Sequence, residues 1–306
     1  MMAPDDDTDD ALEPSEMARD NPAPIALAPG LYLVGTPIGN LGDVSARMRV
    51  VLAAASVIAA EDTRVARRLL SALSIPAPKL LRCDERASEA MAGKLAQAAR
   101  TGVVAFVSDA GMPGIADPGA ALVRAAEESG VPVTVVPGPS AIATAVALSG
   151  LPAEPFLFLG FLPPKTGPRA RRLAEFRDVK ATLVAFEAPH RTAETLAAMV
   201  EVLGDRPACV LRELTKRHEE RRAGPLTALA AHYAAHEALG EIVLVVGPPG
   251  DEPQGEPDPA LLDAKIREAL ATLGVRDAAD RIAAATGLPR RQVYARALAL
   301  AGKSKR

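Results

Sequence analysis

The stretch Phe106-Val107-Ser108-Asp109-Ala110-Gly111-Met112-Pro113-Gly114-Ile115-Ala116-Asp117-Pro118-Gly119 decides the fold of this chain. It leaves an unbroken apolar segment, residues 103–107, and leads into a helical pattern over 120–128. A buried strand, then a loop of glycine, proline and aspartate, then a helix is how an open α/β sheet presents a ligand at the carboxyl ends of its strands. Glycines let backbone approach a ligand and prolines hold the loop rigid. Carboxylates there can accept hydrogen bonds from hydroxyls or an amine. The loop is longer than the roughly 2–6 residues of a plain strand-to-helix turn, which favours a binding loop over a mere connection.

Working outward, the same strand, loop and helix pattern repeats. Leu31-Tyr32-Leu33-Val34-Gly35 reads as a first strand ending in the loop Thr36-Pro37-Ile38-Gly39-Asn40, with helical spacing over 43–55. The apolar piece 56–60 meets Glu61-Asp62-Thr63-Arg64 and a helix over 65–73, and 85–100 is a further helix. Residues 131–136 form another apolar strand, closed by Pro137-Gly138-Pro139-Ser140, where Ser140 is placed to cap a helix over 141–148. Strands alternating with helices imply a parallel sheet with right-handed crossovers. The pattern predicts a first α/β domain over 28–152.

The second half changes character. Residues 155–162 are strand-like and aromatic, and 163–172 read as a basic loop. Strands over 182–186, 208–211 and 241–246 alternate with helices over 192–203 and 226–238. This predicts a second, mixed α/β domain over 153–248. A linker rich in Pro, Gly and acid follows over 249–260, and then a helical appendage over 261–306. In that appendage, 278–284, Thr286-Gly287-Leu288-Pro289 and 290–300 have helix-turn-helix spacing.

Bulk properties bound the function. The 306 residues can bury full cores, and the hydrophobic content of 49% is that of a globular protein. No apolar run reaches the ~18 residues that a membrane span needs, and no basic-then-apolar leader opens the sequence. Cys83 and Cys209 are the only cysteines, far apart and without neighbours at metal-ligand spacing, so buried thiols in a reducing cytoplasm are expected and no metal site is. Aromatic residues make up 3%, too few for base-stacking platforms to be the main binding mode. The net charge of −3 hides an asymmetry: residues 1–20 hold eight acids against Arg19, whereas 30 acids face 34 bases from Asn21 onward. An acidic, disordered tail over 1–27 therefore precedes a mildly basic body.

Seven of these segments together resemble one family. They are Leu33-Val34-Gly35-Thr36-Pro37-Ile38-Gly39-Asn40-Leu41-Gly42-Asp43, Glu61-Asp62-Thr63-Arg64, the 108–119 loop, Val136-Pro137-Gly138-Pro139-Ser140-Ala141, Gly160-Phe161-Leu162-Pro163, Phe186-Glu187-Ala188-Pro189-His190-Arg191 and Arg212-Glu213-Leu214-Thr215-Lys216. In that order and spacing, across about 28–250, they resemble the tetrapyrrole-methylase superfamily, the class III S-adenosylmethionine-dependent methyltransferases. Within it they resemble the ribosomal-RNA branch, which methylates the ribose 2′-hydroxyl of a cytidine in the decoding region of 16S rRNA. The small-molecule members usually carry a glycine-rich first loop followed by Asp, and Thr36-Pro37-Ile38 departs from that pattern.

The resemblance implies two α/β domains with S-adenosylmethionine in the cleft between them, a homodimer, and the small ribosomal subunit as partner. It places Pro37 in the first cofactor loop. Asp109, Ala110, Gly111, Met112, Ile115, Ala116 and Asp117 would surround the methionine and ribose portions, with Ser140 and Ala141 close by. Phe161, Glu187, Ala188, Pro189, Glu241 and Ile242 would close over the adenine. On the acceptor side a general base would help a poorly nucleophilic hydroxyl. Asp62 with Arg64 is one candidate, against a plain helix-terminal carboxylate and a solvated arginine. Lys165, against a mobile surface lysine, and His190, against a structural capping histidine, are the others. RNA phosphates would meet the basic segments holding Lys165, Arg169, Arg171 and Arg172, then Lys216 and Arg217 with Arg221 and Arg222, and finally Arg290 and Arg291 ahead of an acid-free chain end.

Two other functions compete. A tetrapyrrole methyltransferase of the same fold would need neither the basic segments nor the helical appendage. A ligand-sensing, DNA-binding regulator would use Arg290, Arg291 and Arg296 on a duplex, and would not need binding loops from both halves of the chain.

Overall fold

A computed structural model describes residues 27–84, 87–250, 259–286 and 290–303. The acidic tail up to residue 26, most of the 249–260 linker and Gly287-Leu288-Pro289 lie outside the described residues. The described residues fall into two compact units, divided after Pro248.

The first unit is built on two five-stranded sheets. The first contains β1 (Gly30–Val34), β2 (Val57–Ala60), β3 (Lys79–Arg82), β4 (Val103–Val107) and β5 (Val133–Val136), in the order β3-β2-β4-β1-β5, all parallel. β1 and β4 lie at the centre and are buried along their whole length, as continuous apolar runs in a doubly covered parallel sheet must be. Alternation sorts their side chains. Tyr32 and Val34 join Met48, Leu52, Ile58 and Leu70 on one face, while Leu31 and Leu33 join Leu95, Phe106 and Leu122 on the other. The helices Ala46–Ala54 and Thr63–Ala72 supply the first face, and Ser88–Ala99 and Gly119–Glu128 the second. The loops after β1, β2, β4 and β5 therefore share one edge of the sheet.

The second sheet holds β6 (Phe156–Phe161), β7 (Thr182–Glu187), β8 (Pro207–Arg212), β9 (Glu220–Pro225) and β10 (Ile242–Val246) in the order β6-β7-β10-β8-β9. Only β6 and β7 run parallel. One face packs Leu183, Ala185, Val210 and Leu244 against the helices Thr166–Ala174, Thr192–Leu203 and Leu226–Ala235. The other face packs Val184, Cys209, Leu211, Val243 and Val245 against Ile38 and against Ala145 and Val146 of the helix Ala141–Ser149. That helix follows β5 directly, so one element of the first sheet's chain covers the second sheet and locks the two together.

The structure differs from the sequence reading at three elements. Residues 163–172 are not simply a loop: a helix runs from Thr166 to Ala174. Its Gly167-Pro168 pair falls in the first turn, where proline is tolerated because the N–H there has no intrahelical partner. β3 and β9 carry no apolar signature. β3 is at most half-buried, and β9 (ERRAGP) is an edge strand with charged residues on alternate sides, which discourages pairing with another chain.

The second unit consists of the helices Pro259–Leu270, Val275–Thr286 and Arg290–Lys303 around Leu262, Ile266, Ala278, Ala279, Val293 and Ala297. Among the described residues no helix is long and apolar enough to cross a membrane. No group of His, Cys, Asp and Glu among them could hold a metal ion.

Candidate functional site

The loops at the carboxyl edge of the first sheet are fastened to one another by backbone. Thr36 and Gly111 exchange N–H···O bonds of 2.9 and 3.2 Å, tying the loop after β1 to the one after β4. Gly138 donates its N–H to the Met112 sulfur at 3.1 Å, which brings in the loop after β5. Gly35 and Gly138 pass so closely that a Cβ on Gly35 would stand 2.7 Å from the Gly138 nitrogen. The Asp62 N–H donates to the Asp109 carboxylate at 3.0 Å, adding the loop after β2. Within the long loop, the Asp117 carboxylate accepts from Gly114 N–H at 2.8 Å and Gly119 N–H at 2.9 Å. Asp117 thus shapes the loop and accepts the first N–H of the helix Gly119–Glu128, whose N-cap is Pro118.

These loops wall a cavity of about 430 Å³, within the range of small-molecule sites. Asp109, Ala110, Gly111, Met112, Ile115, Ala116 and Asp117 form one side, with Ser140 and Ala141 beside them. Phe161, Glu187, Ala188, Pro189, Glu241 and Ile242 come from the second sheet. Every residue expected around the cofactor is here except Pro37, which lines an adjoining cavity of about 540 Å³ together with Thr36, Gly39, Leu41, Leu69 and Lys216. Ser108, Asp109, Ala110 and Glu241 line both.

The wall combines exposed apolar side chains with carboxylates. Ile115 is 55% exposed and Phe161 61%, an unusual exposure for large apolar side chains and one that a bound ring system would remove. Phe161 stands edge-on to Phe186, with ring centres 5.6 Å apart. Carboxylates belong to the wall as well: Glu61, Asp109 and Asp117 all line the cavity. Burial, then the charges of Asp117 and Asp109, push the Glu61 carboxyl up to about 7, although the Asp109 N–H bonded to it opposes the rise. Glu187 behaves differently. Its side chain is fully buried and pairs with Arg191 at 2.6 Å. It also accepts from Thr195 at 2.6 Å and from the Ala188 N–H at 2.7 Å, so its charge is spent inside the fold.

The four candidate catalytic residues line neither cavity. Asp62 caps the helix Thr63–Ala72 and forms a bidentate pair with Arg64, with the shortest contact at 2.6 Å. Those bonds hold its carboxyl far below the usual range, the opposite of what a base near neutrality needs. Lys165 is exposed at the start of the helix Thr166–Ala174, and His190 is exposed in the turn Pro189–Arg191.

The basic residues divide in the same way. Lys165, Arg171, Arg217 and Arg291 are exposed. Arg169 is 1% exposed and reaches Glu194 at 3.2 Å, so it is a core residue and not the phosphate contact that its neighbours suggested. Arg172 pairs with Glu175 and lies over the Phe176 ring, Arg222 pairs with Glu220, and Arg290 pairs with Asp280. Arg221 caps the C-terminus of the helix Ala141–Ser149 through the carbonyls of Leu148 and Ser149, at 2.7 and 2.9 Å.

Glu61, Ser108, Ile142, Phe186, Gly240 and Val243 complete the site of about 430 Å³; the first two and Phe186 stand in segments quoted from sequence but were given no site role, and the others were not singled out. For Glu61 a signal existed. It immediately follows β2, whose last three residues are buried, and so stands at the ligand-bearing edge.

The matches to known proteins agree with this geometry. Residues 30–230 match the model of the tetrapyrrole (corrin/porphyrin) methylases, and 256–301 match that of an RsmI C-terminal HTH domain. The chain is 47% identical over 277 residues to a ribosomal RNA small subunit methyltransferase I of Mesorhizobium japonicum, covering 90% of this chain and 93% of that one. It is 45% identical over 274 residues to the Erythrobacter litoralis protein of the same name, covering 90% and 96%. Among solved structures, the uroporphyrin-III C-methyltransferase of Thermus thermophilus complexed with S-adenosyl homocysteine aligns with a TM-score of 0.50 at 21% identity. That alignment covers 71% of this chain and 97% of that one. At that identity the likeness concerns the fold.

Proposed function

This chain belongs to the tetrapyrrole (corrin/porphyrin) methylases and, within them, to the ribosomal RNA small subunit methyltransferase I family, and on that premise we propose that it methylates the ribose 2′-hydroxyl of a cytidine in the decoding region of 16S rRNA. The coarser statement, a methyltransferase acting on small-subunit ribosomal RNA, follows from the family. The finer one adds the acceptor atom. The observation that carries the reading is the cavity of about 430 Å³, built jointly from the carboxyl-edge loops of the first sheet and from β6, β7 and the entry to β10.

The lining suits S-adenosylmethionine. Ile115, Phe161 and Phe186 offer apolar surface for an adenine, while Glu61, Asp109 and Asp117 offer negative charge to a sulfonium and an ammonium. When bound, that cofactor supplies an electrophilic methyl group. The chain's own part is positioning: backbone-fastened loops fix the donor's surroundings, and alignment alone is worth effective molarities of order 10⁵–10⁸ M. The acidic wall would hold a cationic donor more tightly than the neutral thioether left after transfer, which would ease product release.

Lys165, Arg171, Arg217 and Arg291 are the exposed cations from which RNA phosphate contacts would be drawn. On this reading 28–152 and 153–248 act as two domains meeting at the site, 249–260 as a linker and 261–306 as an appendage. The active form would be a cytoplasmic homodimer.

The test is transfer of labelled methyl from S-adenosylmethionine to small ribosomal subunits lacking the modification, with the labelled nucleotide mapped afterwards. Label on a cytidine 2′-oxygen in the decoding region is the expected result. Label on a base, or on no nucleotide despite cofactor binding, would overturn the acceptor assignment.

A further inference from the structure

β8 leads into two of the three non-glycine residues with left-handed backbone among the described residues. Glu213 and Thr215 both have left-handed backbone, with φ of +50° and +66°, a conformation costly for any L residue and most of all for a β-branched one. Leu214 between them is buried in the core. The Thr215 hydroxyl is buried without a hydrogen-bond partner. Such backbone persists where the surroundings over-determine it, and it gathers at functional sites.

The surroundings here are two glycines. A Cβ on Gly39 would come within 2.3 Å of the Lys216 side chain, and one on Gly240, itself at φ +77°, within 2.5 Å of the Glu213 carboxylate. The turn is thus wedged between the loop after β1 and the entry to β10, and what it aims is Lys216. The Lys216 ammonium lies 2.9 Å from Glu213 and 3.1 Å from Glu241. The Glu213 carboxylate is largely buried, whereas that of Glu241 is 74% exposed. One partner is part of the fold, and the other is weakly held and open to replacement.

Lys216 lines the cavity of about 540 Å³ that shares Ser108, Asp109, Ala110 and Glu241 with the site of about 430 Å³. Arg68, exposed on the helix Thr63–Ala72, lines the same cavity, as do the apolar Ile38, Leu41, Val65 and Leu69. Leu41 is 48% exposed. Apolar lining, two cations and residues shared with the donor site together match a nucleotide: base against the apolar side chains, phosphate at the cations, ribose toward the shared residues.

We propose that this second cavity seats one nucleotide of the RNA acceptor, and that Lys216 is its anion anchor, exchanging Glu241 for a phosphate oxygen while Glu213 holds it in place. The inference rests on the RNA-methyltransferase reading given above. Lys216 is a positioning residue here: it fixes where the ribose stands relative to the donor and takes no proton.

The experiment compares wild type with Lys216→Met, which keeps the stem beside Gly39 and removes the charge, and with Arg68→Gln, an exposed change that does not threaten folding. Binding of unmodified small ribosomal subunits is measured by co-sedimentation across a salt series, apart from turnover, with KM for subunits and cofactor affinity measured alongside. Each variant is expected to weaken subunit binding and raise KM about tenfold, and to lower the log–log salt slope by about 0.7–0.9 for each lost phosphate contact. Cofactor affinity should stay within about twofold. Unchanged subunit binding and salt slope in both variants would overturn the proposal, as would a Lys216→Met loss of cofactor affinity equal to the loss of subunit binding. Failure of the wild type to transfer methyl would count against the function reading alone, because binding is read independently.

Discussion

Glu61 shows how one carboxyl can couple this fold to pH. Its ordinary value of 4.5 is raised to about 7 by burial and by Asp117, Asp109 and Asp84, so the folded protein holds this proton more tightly than the unfolded chain does. Its contribution to stability is therefore full below about pH 4.5 and is lost as pH rises through about 7. Replacing Glu61 by Gln removes the ionisation and should stabilise the protein above pH 7 by ~2 kcal/mol, a figure discounted for the site's partial exposure. The urea midpoint at pH 5 and pH 8 checks this: the variant should gain at pH 8 and not at pH 5. A cationic donor favours the ionised form, so wild-type affinity for S-adenosylmethionine should rise several-fold between pH 6 and 8, and much less in Glu61→Gln. Isothermal titration at both pH values would show it, and a parallel rise in the variant would remove Glu61 from the site. Asp62, one of several candidate bases in the sequence, is bound up with Arg64 and the helix it caps. Of the two adjacent acids Glu61 lines the cavity and Asp62 does not, and that is invisible without the sheet.

Among the elements, the helix Ala141–Ser149 does the most joining, since it follows β5 and packs on the second sheet. Its end is closed by Arg221, whose guanidinium satisfies two otherwise orphaned carbonyls. Arg221→Ala should cost about 1–2 kcal/mol, from the loss of two bonds to partly buried groups. It should leave the salt dependence of RNA binding unchanged, because this cation is engaged by the helix. Chemical denaturation and a salt titration on the same variant test both halves. In sequence, Arg221 and Arg222 look like the rest of a basic cluster. Which arginines face solvent depends on the phase of a helix or strand relative to partners far away in the chain, as at Arg169, so composition alone marked too many. Strands with continuous apolar runs, β1, β4 and β10, and the glycine-proline loops after them were legible because burial on both faces leaves a one-dimensional trace. β3 and β9 were not, since an edge strand needs few apolar residues.

For the molecule as a whole, the net charge and the count of bases say less about RNA than the fate of each cation does. Arg169, Arg191 and Arg206 are buried or nearly so, and Arg64, Arg172, Arg222 and Arg290 answer a carboxylate. Within the two-sheet unit Arg169 and Arg191 reach Glu194 and Glu187 and Arg206 donates to the Leu203 and Arg177 carbonyls, which was not readable from the positive balance after Asn21. What remains for long-range attraction in the first unit includes Lys165, Arg171 and Arg217, each exposed and none of them lining either cavity. Their joint replacement by alanine should therefore act on RNA without touching the donor site. Each phosphate contact to a single strand contributes about 0.7 to the log–log salt slope, so losing three should flatten the dependence of subunit binding by about 2. Affinity for S-adenosylmethionine and the unfolding midpoint should be unchanged, because surface substitutions away from packed features stay within about 0.5 kcal/mol. Measuring subunit affinity between low and moderate salt decides the matter. A slope equal to the wild type's would mean that these three cations do not meet phosphate, and that attraction to the RNA rests on the cavity cations and the helical unit instead.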